Sequence, residues 1–155
     1  MKENIFSTPI YYDKVDLNKI IINNQKFEKT FDCEVITSHN FKNTIEDKSF
    51  IYLKKKIKNL LEKDIDINFD IILTSIWENK YIDNDYQEKH IHPDSHFSFI
   101  IYKEIDVSKT IFYSPHSKLL ETYFHKFPYF FKTMNPSFKP NFTKGDMVLF
   151  PSFLE

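Results

Sequence analysis

The chain has 155 residues, 21 basic and 22 acidic side chains for a formal net charge of -1, and one cysteine. That length suits a single domain, residues 1–155, able to bury a core, and the balanced charge carries no nucleic-acid signature and no footprint for an anionic membrane. The lone Cys33 forms no intramolecular disulfide, which fits a reducing cytoplasm. No apolar run reaches the roughly 20 residues of a membrane span, and the opening MKENIFSTPIYYDK lacks the apolar segment of a secretory signal.

Arginine and alanine are absent, and Gly145 is the only glycine. Ile, Asn, Lys, Phe and Tyr dominate, as an A/T-biased coding sequence produces. Anion binding, which usually falls to the forked guanidinium, is left here to lysine or to backbone N–H groups.

In chain order, Phe6 to Tyr12, with Pro9, predicts a strand or edge segment. Asp13 or Asp16 can cap a helix through Leu17, Ile20, Ile21 and Phe27, weakened by the Asn pair at 23–24. A stronger helix is expected from about Ser49 to Lys63, where Phe50, Leu53, Ile57, Leu60 and Leu61 share a face and Lys54, Lys55, Lys56 and Lys58 lie elsewhere. That lysine run reads as a solvated face. Residues 1–66 are therefore expected to be helical support.

After Asp66 the period changes to two. Ile67, Phe69, Ile71, Leu73, Ser75 and Trp77 alternate with Asn68, Asp70, Ile72, Thr74, Ile76 and Glu78, predicting a long strand with one apolar face. Asn79 to Asp85 reads as a turn. Strands are expected at Tyr86–His92, Phe97–Lys103, Thr110–Tyr113 and Met147–Phe150, the last after a turn around Gly145. Helices first and short strands afterwards predict an α+β, mainly β chain. Its partial jelly-roll core would occupy 67–155, with the N-terminal helices packed on one side.

The stretch EKHIHPDSHFSFIIY, residues 88–102, holds half of the six histidines. Side chains two apart on a strand point the same way, so His90 and His92 share a face, with Ile91 opposite. Asp94 continues the row if the strand runs past Pro93. Two imidazoles and a carboxylate on a β wall suit a divalent metal, and Fe(II) held by two His and one carboxylate is the familiar arrangement. Zn is chemically allowed but lacks a Cys partner here. The structural alternative is a chance His pair on a solvated strand. His96, His116, His125 and His39 read as surface or packing residues. Trp77 and the aromatic run from Tyr123 to Phe131 read as packing.

The ordered set SIWENKY (75–81), QEKHIHPDSHFSFIIY (87–102), TIFYSP (110–115) and FTKGDMVLFPSFLE (142–155) resembles a family of small 2-oxoglutarate/Fe(II)-dependent oxygenases. These occur in marine bacteria and their phages and are distantly similar to prolyl 4-hydroxylases. IFSTPIYY at the start is also similar, so the resemblance covers most of the chain. It implies a double-stranded β-helix and an oxidoreductase with Fe(II) and 2-oxoglutarate as cofactors, hydroxylating a substrate of unknown identity. It also implies metal ligation at His90 and His92, with Asp94 as the alternative carboxylate. His92-Pro93-Asp94 matches the superfamily's HxD element and His90-Ile91-His92 the family's repeated histidines, and the choice of pair stays open.

The chain departs from the family at two places. Phe99 follows Ser98 where the family often has glycine. In the family, FPSxLE is followed by the distal His ligand and then by a basic residue that clamps 2-oxoglutarate, whereas this chain ends at Glu155 and has no arginine. The expectation is a truncated chain with the last strands missing, five of roughly eight being present. The alternative function is a non-catalytic, cupin-like jelly roll that binds a ligand or serves as a phage-structural protein and forms homo-oligomers through exposed strand edges.

Overall fold

A computed structural model describes residues 7–23, 26–29, 35–66, 68–82, 85–106, 110–124, 126 and 137–155. Cys33, His125, Ile67, Phe6 and most of the aromatic run up to Phe131 lie outside the described residues. The chain is α+β and mainly β, with antiparallel sheets. It divides into two compact units, Met1–Val15 with His90–Glu155, and Asp16–Lys89.

The first unit is built on a three-stranded antiparallel sheet. β1 (Tyr11–Lys14), β10 (Asp146–Pro151) and β7 (Phe97–Ile101) lie in the order β1-β10-β7. The central strand pairs Leu149 with Tyr11 on one side and with Phe99 on the other. Met147, Val148, Leu149 and Phe150 are all buried, so both faces of β10 are covered, and its sequence is a continuous apolar run rather than an alternation. One face joins Val148 and Phe150 to Phe112, Phe142 and Leu154, with Ile10, Ile100, Tyr102 and Ile105 packed against them. The rings of Tyr102 and Phe142 stack at 4.7 Å, and those of Phe112 and Phe150 meet edge to face at 5.0 Å. β8 (Phe112–Tyr113) pairs with β9 (Ser137–Phe138), and α2 spans Ser117–Phe124.

The expected turn around Gly145 enters β10. Asp146 N–H donates to Thr143 O at 3.0 Å, which closes a four-residue turn with Gly145 third at φ 83°. A type II turn needs that positive φ, and a Cβ added there would also meet Val15 O at 3.4 Å. The Asp146 carboxylate fastens the same turn. It accepts from Thr143 N–H at 2.6 Å and Thr143 Oγ1 at 3.0 Å, and pairs with Lys14 Nζ at 2.7 Å.

The second unit differs from the expected helical support. Asp16 caps only one 3₁₀ turn, Leu17–Lys19, by accepting from Asn18 N–H. The β-branched run Ile20-Ile21-Ile22 disfavours continuing a helix, and the chain instead forms β2 (Ile22–Asn23), which pairs with β5 (Thr44–Ile45). β3 (Glu28–Lys29), β4 (Ile36–Thr37) and β6 (Asn79–Lys80) make a second small sheet. The expected helix is present as α1, Asp47–Leu61, with Leu53, Ile57, Leu60 and Leu61 buried.

The strand expected over 67–78 is not assigned to any ladder, although its side chains alternate. Phe69, Ile71 and Leu73 are half-buried, whereas Asn68, Asp70, Ile72 and Thr74 are exposed, Ile72 to 83%. Residues 86–92 likewise join no ladder. A period of two sets the direction of side chains, but a strand also needs a neighbour to receive its N–H and C=O groups. Among the described residues these segments make only isolated backbone bonds, Ser38 N–H to Glu78 O and His92 N–H to Ser152 O, and form no ladder. No helix among the described residues is long and apolar enough to cross a membrane.

Candidate functional site

His90 and His92 lie just before β7 in sequence, on a segment outside any ladder. One backbone bond registers that segment against the end of β10: His92 N–H donates to Ser152 O at 2.9 Å. The two imidazoles come together, with ring centroids 4.9 Å apart and planes at 80°. Ile91 faces elsewhere and is exposed. His92 is half-buried, with the buried Phe150 ring 6.4 Å away, and His90 is exposed. The shared face expected from i, i+2 spacing is therefore present without a regular strand.

Asp94 is exposed on the turn formed with Pro93. Among the described residues no group of three His, Cys, Asp or Glu side chains is placed to hold a metal ion, and the imidazoles stand as a pair. A separation of 4.9 Å at 80° is that of an edge-to-face ring contact.

The segment carrying the pair is held by hydroxyls that the sequence reading did not single out. Ser152 N–H donates to His96 O at 3.0 Å. Its Oγ lies 2.9 Å from Ser95 Oγ and 2.8 Å from Ser98 Oγ. Their signal was present in the quoted motifs, PDSHFS and FPSFLE, each of which carries serine beside the histidines or at the end of the apolar strand. Sequence alone does not say that these serines meet.

Of the other histidines, His125 lies outside the described residues. His39 meets Trp77 edge to face at 4.8 Å. His96 and His116 are exposed on the chain after Asp94 and after Pro115. A surface depression of about 490 Å³ in the first unit lies along Tyr12, Phe138, Asn141 and Phe142 and includes none of His90, His92 and Asp94. No family model, no curated protein and no solved structure matches the chain.

Proposed function

We propose that the chain is an Fe(II)/2-oxoglutarate-dependent dioxygenase of the hydroxylase type, built on a double-stranded β-helix core, working in the reducing cytoplasm and using His90 and His92 as metal ligands. The observation that carries the reading is the side-by-side placement of the two imidazoles against the end of a buried central strand. The antiparallel sheet β1-β10-β7 supports it as the frame to which the histidine segment is bonded through Ser152. The motif resemblance supplies the cofactors, and Asp94 is the candidate carboxylate.

When bound, Fe(II) with 2-oxoglutarate and O₂ supplies oxidative decarboxylation to succinate coupled to hydroxylation of a C–H bond. The chain's own part is positional. His90 and His92 would each offer a ring nitrogen to the ion. The Phe150 ring beside His92 gives one apolar side, which limits water around the half-buried imidazole. Binding by two imidazoles with a carboxylate selects a borderline divalent cation over Ca²⁺ or Mg²⁺, which prefer oxygen alone.

The test is Fe(II) binding measured by equilibrium dialysis without air. Binding by the wild type that disappears in His92→Ala is the expected result. No binding by either protein, or equal binding by both, would contradict the assignment and favour a non-catalytic β protein.

A further inference from the structure

We propose that Ser152 is the positioning residue of the imidazole pair. It fastens residues 92–98 to the end of β10 and so holds His90 and His92 edge to face. The inference rests on reading those histidines as a ligand pair. Ser152 is 2% exposed and directly follows Pro151, the last residue of β10, which pairs with Phe97. It therefore sits on the rigid central strand, while the histidines sit on a segment with no ladder of its own.

Four contacts converge on this one residue. Its carbonyl accepts from His92 N–H at 2.9 Å, and its N–H donates to His96 O at 3.0 Å. These two bonds pin both ends of the His92–His96 loop. Its hydroxyl reaches Ser95 Oγ at 2.9 Å inside that loop and Ser98 Oγ at 2.8 Å on β7. Three hydroxyls carry three protons, and two oxygen–oxygen contacts use two of them. The third proton is left for Ser95 or Ser98 to donate outward, because a buried Ser152 proton without an acceptor would be costly. Both contacts of Ser152 are thus satisfied, and one proton is left on Ser95 or Ser98, close in sequence to the imidazoles.

Alanine at 152 keeps both backbone bonds and removes only the hydroxyl that binds the middle of the loop to β7. That separates side-chain positioning from backbone folding. Groups that hydrogen-bond a metal ligand directly typically govern metal affinity by about 10–100-fold; the Ser152 hydroxyl acts one step further out, through Ser95 and Ser98.

The experiment compares wild type, Ser152→Ala, Ser98→Ala and Ser98→Thr by two readouts. One is Co(II) affinity from the visible absorption of the bound ion. The other, on metal-free protein, is the nuclear Overhauser contact between the His90 and His92 ring protons. Both alanine variants are expected to lose Co(II) affinity by up to about 10-fold, the lower end for groups that orient a ligand, and to weaken the ring–ring contact. Ser98→Thr, which keeps the hydroxyl, is expected to restore both. Wild-type affinity and an undiminished ring contact in the alanine variants would overturn the proposal, whatever their thermal stability. If the wild type itself binds no Co(II), the ligand reading fails, and the ring contact alone decides the role of Ser152. If Ser152→Ala does not fold, Ser98→Ala decides it.

Discussion

Asp146 shows how one carboxylate can fix a turn and make it sensitive to acid. Partial burial alone would push its carboxyl up. The Lys14 ammonium and the N–H and hydroxyl of Thr143 outweigh that and hold it below its ordinary value. A group whose folded value is depressed contributes stability that is present above the unfolded value. That contribution is lost as pH falls through the folded value. Lys14 is largely exposed, so its share is small, and the Thr143 bonds carry more. Asp146→Asn is expected to cost roughly 1–2 kcal/mol at pH 7, and the gap from wild type should narrow below about pH 4. Urea titrations at pH 7 and pH 3 measure it, and an unchanged gap at the two pH values would contradict the assigned role. Gly145 beside it was legible in the sequence as the chain's one glycine in a polar stretch. Its φ of 83° and the nearby Val15 carbonyl are the physical reason for it.

Among the elements, those whose pattern closes on itself were legible. The α1 helix needs only its own backbone and one apolar stripe, and Leu53, Ile57, Leu60 and Leu61 announce both. Ile51, off that stripe, is exposed. Leu53→Ala is accordingly expected to cost about 2–5 kcal/mol, against under about 0.5 kcal/mol for the exposed Lys55→Ala. Loss of helical circular dichroism in urea would separate the two, and similar midpoints would contradict the packing described. β10 was legible because a strand covered on both faces writes an unbroken apolar run from Met147 to Phe150. Strand reading failed where pairing is non-local. Phe69, Ile71 and Leu73 turn to the buried side as alternation requires, but nothing in residues 67–78 encodes a partner edge. The early helix failed for a local reason, the three consecutive isoleucines after Lys19.

For the whole molecule, the α+β, mainly β class followed from the order of periods along the chain, although the short sheets of the second unit did not. The imidazole pair was legible because i, i+2 spacing is a property of extended backbone with or without a ladder. The serine network was not, since Ser95, Ser98 and Ser152 meet only through folding. The functional account reduces to the claim that His90 and His92 grip one divalent ion, and a bound ion must stabilise the protein that binds it. At 100 times its dissociation constant, a metal adds about 2.7 kcal/mol, which for a chain of this size is roughly 5–10 °C in Tm. The most direct test is a thermal melt with and without Mn(II), in wild type and His92→Ala. The account predicts a rise of several degrees in the wild type and none in the variant. An unmoved wild-type melt, or the same rise in both proteins, would contradict it.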